Sequence, residues 1–208
     1  AVQRGNKVIY DRANSAFANI QPTMIDWNTV FADAQWFHWS GITPAVSKGA
    51  CDTCLEAVKT AKKRGLTVST DLNYRSKLWK WGKTPEEIMA TLITDVDIVI
   101  GNEEDLEKVF GIKAPGVDVT KGQINAKKYR FVTKKMMQRF PHLKLVAITL
   151  RQSLSASHNK WTGVLYDGKT FYTSANYDIS HIVDRVGAGD AFSAGLISQL
   201  LSDTNRQH

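Results

Sequence analysis

The chain has 208 residues, 43% of them hydrophobic, which is enough for one sizeable core and lies within the range of a single domain. Lysine and arginine outnumber aspartate and glutamate by 27 to 20, a net charge of +7, but the cations are spread in small groups outside any nucleic-acid-binding motif. We therefore expect no nucleic-acid partner, whereas the positive charge suits small anionic ligands. No apolar run is long enough to cross a membrane and no signal-peptide pattern is present, so we expect no membrane contact and a cytoplasmic location.

Apolar runs of strand length alternate with longer segments of helical period, which predicts a mostly parallel sheet flanked by helices. A cap at Thr84, followed by Pro85, predicts the start of one helix. The turn at Asp167-Gly168 predicts a hairpin. In chain order we predict strand 35–40, helix 46–64, strand 66–72, helix 84–94, strand 97–101, helix 103–110, helix 126–140, strand 144–150, paired strands 162–166 and 170–174, strand 180–183 and helix 188–201. Residues 114–140 are interpreted as an insertion beside the sheet.

The two cysteines, Cys51 and Cys54, have a C-x-x-C spacing that would suit redox chemistry. With Leu55 and Val58, however, they fall on the i, i+3, i+4, i+7 stripe of a helix. There is no second Cys/His pair to complete a zinc site. We predict two buried, reduced thiols.

Polar, charged and glycine residues follow five of the predicted strands. They occupy positions 38–41, 73–75, 101–105, 149–151 and 185–190. Ligands of open parallel sheets bind beyond the carboxyl ends of the strands, so these segments predict a binding site, although turn chemistry alone supplies some of them. His38 is interpreted as a buried strand-end histidine and not as a catalyst.

The glycine-rich segment before the last helix carries the clearest chemical signal. Small residues at Gly187, Ala188 and Gly189 let backbone N–H groups approach an anion, and the helix that starts there adds the positive end of its dipole. The segment lacks the Lys-Ser/Thr pair of a P-loop and the full G-x-G-x-x-G spacing. Asp190 is placed to take a proton from a hydroxyl that attacks a bound phosphate. The same residue would also serve as a helix cap, and the spacing alone leaves both interpretations open.

The run DRVGAGDAFSAGL at 184–196 resembles the second signature of the ribokinase-like (PfkB) carbohydrate kinases. Arg185 departs from the small or hydroxyl residue common at that position. The segment Asp-Arg-Val-Gly at 184–187, however, resembles the 2-keto-3-deoxygluconate kinase branch of the family. Residues 10–16 (YDRANSA), 37–42 (FHWSGI) and 71–79 (DLNYRSKLW) are similar to segments of the same branch. The resemblance runs from about residue 2 to the last residue.

This resemblance implies an α/β, three-layer ribokinase-like fold in a single partial domain, 1–208, truncated at both ends. It implies an alcohol-accepting phosphotransferase that uses ATP and Mg²⁺ to convert 2-keto-3-deoxygluconate into its 6-phosphate at the terminal hydroxyl. Fructose, ribose or a nucleoside as acceptor stays open, as does a non-catalytic sugar-binding protein of the same fold. A homo-oligomer is compatible with the resemblance.

The resemblance also implies roles for individual residues, each with a simpler alternative. Asp190 is the catalytic base, with Gly187, Ala188 and Gly189 as the anion hole. The residues implied to bind the sugar acid are Tyr10, Arg12, Arg75 and Asp190. Those implied to bind the nucleotide are Asn102, Thr149, Arg151, Gly187 and Gly189. Asp105, one methylene shorter than the family's glutamate, and Glu104 are implied to hold the metal, with Glu103 as a further carboxylate. A helix cap explains Asn102 equally well, and surface salt bridges explain the arginines.

Overall fold

The computed structural model describes residues 12–116, 125–155, 157–184 and 186–202. Tyr10 and Arg185 lie outside these ranges. The helices are α1 (Trp27–Val30), α2 (Ile42–Val46), α3 (Lys48–Lys63), α4 (Pro85–Ile93), α5 (Asp105–Phe110), α6 (Ala126–Arg139) and α7 (Ala188–Ser202). The strands are β1 (Trp36–Ser40), β2 (Thr67–Asp71), β3 (Ile98–Asn102), β4 (Leu145–Ser155), β5 (His158–Tyr166), β6 (Phe171–Thr173) and β7 (Tyr177–Ile179).

The strands form one mixed sheet in the order β1-β2-β3-β4-β5-β6, with β7 also paired to β5. Strands β1 to β4 run parallel, so their carboxyl ends share one edge. Strands β5, β6 and β7 add antiparallel pairs. The parallel half of the sheet therefore brings to one edge the strand-end segments in which the sequence predicts a binding site.

Side chains alternate between the two faces of the sheet, and each face packs on its own helices. On one face, α3 to α6 bury the large core, in which Val68, Val99, Val146 and Ile148 are at most 2% exposed. On the other face, α7 packs onto a smaller cluster. That cluster contains Ile98, Ile100, Leu145, Ala147 and Leu165, contacted by Phe192, Leu196 and Leu200 of the helix. The three-layer prediction is confirmed.

Local capping explains where the main helices begin. The Thr84 hydroxyl accepts a hydrogen bond from the Glu87 N–H, and the Thr84 N–H donates to the Glu87 carboxylate over 2.9 Å, which completes a capping box at α4. Ser47 caps α3 by accepting from the Ala50 N–H, and Gly65 follows the end of α3 at φ +80°. Both helix starts combine a polar cap with a following amphipathic segment.

Two predictions about helices can be compared with this packing. Cys51 and Cys54 are both unpaired and buried in α3, as predicted, and burial raises the pKa of Cys51 to about 11. Helix α6 buries Tyr129 and Met136 in the large core, so the described part of segment 114–140 covers the sheet. Its status as an insertion stays a prediction.

Three predictions about strands and their ends are corrected. Strand 180–183 does not form; the chain pairs earlier, at 177–179, and Val183 is fully exposed where the chain leaves the sheet toward α7. Strands β4 and β5 extend to Ser155 and back from His158, beyond the apolar segments that predicted them. His38 is exposed rather than buried, because it faces the α7 layer near the strand end, where that helix only begins.

The amino-terminal edge of the sheet is held by Asp97, whose side chain is 2% exposed. Its carboxylate accepts hydrogen bonds from Lys62 Nζ at 2.7 Å and from the Val68 N–H at 3.0 Å, and Lys144 Nζ lies at 3.1 Å. Burial alone would raise the pKa of Asp97, but these hydrogen bonds hold it below its ordinary value. A single carboxylate thus joins α3, β2 and the start of β4.

Candidate active site

The carboxyl ends of β1 and β2 are tied together where the candidate site begins. The Gly41 N–H donates to the Asp71 carbonyl over 2.8 Å, and Asn73 Nδ2 donates to Ser40 Oγ over 3.1 Å. A Cβ atom on Gly41 would lie 2.1 Å from the Leu72 carbonyl oxygen, so only glycine allows this close approach. Asn73 adopts φ +40°, with its N–H donating to the Asp71 carboxylate over 3.2 Å.

A cleft of about 540 Å³ opens beside this edge. Its lining residues are Tyr74, Arg75, Ser76, Lys77, Asn102, Glu103, Glu104, Asp105, Lys108 and Arg151. Arg75 is half-buried, and its Nη1 donates to the Tyr74 carbonyl over 2.8 Å. This bond fixes one of the terminal nitrogens of the guanidinium group. Arg151 is exposed on the other side of the cleft. Two guanidinium groups and several carboxylates therefore share one opening.

The loop between β3 and α5 is organised by its own side chains. Asn102 Oδ1 accepts from the N–H groups of Glu104 at 2.8 Å and Asp105 at 3.1 Å, so it orders the turn before α5, although the N-cap position of that helix is Glu104. The Asp105 carboxylate accepts from the Asn102 N–H at 2.8 Å and from the Tyr74 N–H at 3.2 Å. Asp105 is only 3% exposed, and burial raises its pKa.

The remaining carboxylates of the cleft are Glu103 and Glu104, both half-buried. Burial raises the pKa of Glu103, and the nearby positive charge of Arg151 opposes that change. Across the described ranges, no three Asp, Glu, His or Cys side chains come together as a metal-binding group. A metal ion here would need ligands from a bound nucleotide in addition to one or two of these carboxylates.

The glycine loop lies at the start of α7. Gly187 adopts φ +80°, and its carbonyl accepts from the Ala191 N–H over 2.8 Å, which closes the first helical turn. Asp184 Oδ1 accepts from the Val186 N–H over 2.9 Å and so anchors the approach to the loop. Gly187, Gly189 and Asp190 are exposed, so this turn faces open space rather than the core.

Asp71 lies beneath the glycine loop and was not among the predicted site residues. A Cβ atom added to Gly189 would lie 3.9 Å from Asp71 Oδ2. Burial, together with the like charges of Asp105 and Asp190, raises the pKa of Asp71 to about 7, and Arg75 opposes the shift. The sequence signal was available, because Asp71 ends a buried strand and opens the D-L-N-Y-R motif.

His38 lies on the same face as Asp71. Its Nδ1 is 2.8 Å from Ser69 Oγ, which also accepts from Trp36 Nε1 over 2.8 Å. Although the His38 side chain is exposed, the protein around its ring removes part of its hydration, which lowers the pKa of His38, while the negative charge of Asp190 raises it. Asp190 therefore lies within electrostatic reach of both His38 and Asp71.

Comparison with known proteins places this arrangement in a family. The family model of the pfkB family carbohydrate kinases matches residues 2–207. The chain belongs to this family. The resemblance seen in the sequence is thereby confirmed, together with the ribokinase-like fold.

Three pfkB-family relatives show how far the similarity extends. The crystal structure of a 2-dehydro-3-deoxygluconokinase from Thermotoga maritima is 40% identical with a TM-score of 0.87, and the match covers 99% of this chain and 61% of that one. A PfkB family carbohydrate kinase from Listeria grayi is 30% identical with a TM-score of 0.79, covering 94% and 57%. The 2-dehydro-3-deoxygalactonokinase of Haloferax volcanii is 31% identical, covering 96% of this chain and 55% of that protein. The chain thus spans little more than half the length of these relatives.

Within this pfkB-family chain, the structure brings together most of the predicted site residues. Arg75, Asn102, Glu104, Asp105 and Arg151 line one cleft, and residues 187–190 lie at the same sheet edge. Two other predicted residues that the structure describes are absent from the cleft lining, and Tyr10 lies outside the described residues. Thr149 is 8% exposed and donates to the Gly101 carbonyl over 3.4 Å, while Arg12 is exposed and is not part of the cleft lining. A larger cleft, of about 700 Å³ between the start of α6 and strands β5 and β7, contains none of them.

Proposed function

We propose that this chain is the central and catalytic portion of an ATP-dependent kinase of 2-keto-3-deoxy sugar acids, acting on the terminal hydroxyl of 2-keto-3-deoxygluconate. The observation that carries the proposal is the exposed Asp190 carboxylate in the first turn of α7. It lies beside the glycine loop, in which Gly187 adopts φ +80°. Family membership and the names of the relatives, which act on 2-dehydro-3-deoxy sugar acids, support the same substrate class.

The glycine loop supplies the anion site in this proposal. Backbone N–H groups at the start of a helix have no partner within the helix, and α7 contributes the positive end of a 15-residue dipole. Gly187, Ala188 and Gly189 leave these amides unobstructed, so they are suited to stabilise negative charge on a transferring phosphoryl group.

Asp190 acts as the base. A carboxylate beside a phosphate makes a poor phosphate ligand because like charges repel, but it is well placed to take the proton of the attacking hydroxyl. Asp71 lies close to this turn, and its raised pKa keeps a fraction of it neutral near pH 7. That neutral fraction reduces the negative charge that an incoming phosphate would meet.

Arg75 is the proposed ligand of the sugar-acid carboxylate. Its guanidinium is held at one end by the Tyr74 carbonyl and presents its other N–H donors to the cleft. A planar, paired donor matches a carboxylate better than a point charge does. Arg151, on the opposite side of the cleft, is proposed for the nucleotide phosphates, with Asn102 and Thr149 supporting that side of the site.

The carboxylates of the cleft offer Mg²⁺ the oxygen ligands that this ion prefers. The proposed carboxylates are Glu104 and, beside it, Glu103, since Asp105 is buried with both oxygens bonded to backbone N–H groups. Bound with the nucleotide, the ion would neutralise phosphate charge. The unpaired cysteines suit a reducing compartment, and we propose a cytoplasmic location.

Replacing the base tests the assignment in the intact protein. Asp190→Asn keeps the size of the side chain but removes the proton acceptor, so kcat should fall by about 10² to 10⁴-fold while the Kd for ATP changes by less than about twofold. Asp33→Asn, an exchange of an exposed aspartate that follows α1, serves as the matched control. Loss of ATP binding with retained turnover would contradict the role of Asp190.

A substrate panel tests the acceptor. 2-Keto-3-deoxygluconate, its galactonate epimer, fructose and ribose should be compared by kcat/KM, together with an analogue whose carboxylate is a neutral amide. The sugar acids should be preferred, and the amide should lose at least about tenfold in kcat/KM because it cannot pair with Arg75. A preference for fructose or ribose would exclude the sugar-acid assignment while leaving the kinase assignment intact.

A further inference from the structure

The family motif beginning at Asn102 ends in Asp105, a carboxylate in an unusual position for a metal ligand. Its two oxygens accept from backbone N–H groups of two different segments, Asn102 at the end of β3 and Tyr74 in the loop after β2. The side chain is 3% exposed. Asp105 therefore joins two strand ends from within the protein.

The Asp105 side chain packs against the end of β3 and is almost closed to solvent. A Cβ atom added to Gly101 would lie 3.3 Å from the Asp105 Cβ and 3.5 Å from its Oδ2. Mg²⁺ usually keeps several of its waters, and a carboxylate that serves it must reach solvent or a bound ligand. Glu104, half-buried in the cleft, meets that condition better than Asp105, which borders the same cleft but is 3% exposed with both oxygens bonded to backbone N–H groups.

The bond to Tyr74 matters because Tyr74 is fixed on both sides. Its N–H donates to Asp105, and its carbonyl accepts from Arg75 Nη1 over 2.8 Å. The preceding residue, Asn73, is held at φ +40° by its own bond to Asp71. A continuous path of hydrogen bonds thus runs from the buried Asp105 to the guanidinium that faces the cleft.

We propose that Asp105 is a positioning residue that holds the Tyr74-Arg75 segment in the geometry needed to bind the substrate carboxylate, and that it does not ligate the metal. This proposal rests on the sugar-acid kinase function proposed above. It replaces the metal-binding role that the sequence motif implies for Asp105 and leaves that role to Glu104.

Two variants of Asp105 separate positioning from metal binding in the intact protein. Asp105→Asn keeps the shape but directs an amide group at one of the two N–H donors, so the KM for the sugar acid should rise about tenfold. The kcat and the Mg²⁺ concentration for half-maximal activity should stay within about threefold. Asp105→Glu restores the residue of the family motif, but its longer side chain moves the carboxylate away from the N–H groups of Asn102 and Tyr74, so it should also raise the KM.

A metal ligand would behave differently in both variants. Asp105→Asn would then raise the Mg²⁺ requirement, Asp105→Glu would restore it, and the KM for the sugar acid would change little. That result would overturn the proposal. Glu104→Gln is the comparison, and it should raise the Mg²⁺ requirement without the same rise in the KM for the sugar acid.

Hydrogen exchange distinguishes failure of this proposal from failure of the proposed function. Amide exchange in segment 72–78 should be faster by about tenfold in Asp105→Asn than in the wild type, whatever the substrate is. If the wild type phosphorylates no sugar acid but the exchange result holds, only the proposed function fails. Unchanged exchange in Asp105→Asn would overturn the positioning role directly.

Discussion

Asp71 should make the stability of the fold fall as the pH rises. Its pKa is about 7 in the folded chain against an ordinary value of 3.8, so the folded state binds this proton more tightly than the unfolded state does. The contribution is fully present below about pH 4 and is lost as the pH rises through about 7. Ionisation above that point places a charge in a site that burial, Asp105 and Asp190 all disfavour.

The size of the effect follows from the same two values. Each pH unit between them corresponds to about 1.36 kcal/mol, so the wild type should lose at most about 3 kcal/mol of unfolding free energy from this group between pH 5 and pH 8. Asp71→Asn has no proton to lose and keeps nearly the same shape. Its unfolding free energy should therefore lack this fall.

Urea unfolding of the intact protein at several pH values measures this directly, with the free energy extrapolated to water at each pH. Asp33→Asn, an exchange of an exposed aspartate, should follow the wild-type pH dependence. If Asp71→Asn lost stability between pH 5 and pH 8 as steeply as the wild type, burial would not be raising the pKa of Asp71, and its proposed role in limiting charge near the phosphate would be wrong.

Two further perturbations address the frame of the site. Gly41→Ala should cost about 3 kcal/mol, because its Cβ would lie 2.1 Å from the Leu72 carbonyl oxygen, whereas Gly195→Ala, with nothing within 4 Å, should stabilise α7 by up to about 1 kcal/mol. Thermal unfolding compares the two, and equal effects would contradict the close approach at Gly41. Asp97→Asn should cost about 2 kcal/mol near pH 7 by weakening the bonds from Lys62 and Val68. Because the pKa of Asp97 is lowered, that deficit should shrink as the pH falls below its ordinary value of 3.8, and a deficit unchanged in acid would argue against the ion pairs.

The parallel half of the sheet was predictable because each of its strands is a short apolar run followed by polar residues. Residues 98–100 and 145–150 are buried on both faces, so their composition alone indicates the strand. The outer ends of β4 and β5 were missed because residues 151–155 are largely exposed and polar, and their pairing depends on the partner strand rather than on burial. The strand predicted at 180–183 had the right composition, but the chain leaves the sheet before it.

The candidate site was predictable in its location but only partly in its contacts. The rule that parallel strands end at one edge correctly brought Arg75, Asn102 and Arg151 together. Sequence could not reveal that both oxygens of Asp105 bond to backbone N–H groups, because the Tyr74 N–H comes from a different strand end. It also missed Asp71, whose importance depends on the approach of Gly189 from the far end of the chain.

The attachment of α7 has a consequence for how the site would fail. The glycine loop and Asp190 lie at the start of α7, whose only buried residue is Ser193 and which packs on the sheet through Phe192, Leu196 and Leu200. The loops after β2 and β3, which line the cleft of about 540 Å³, instead adjoin the large core on the opposite face. The two parts of the proposed site are therefore attached with unequal strength, and mild heating or denaturant should loosen the helix while most of the sheet remains intact.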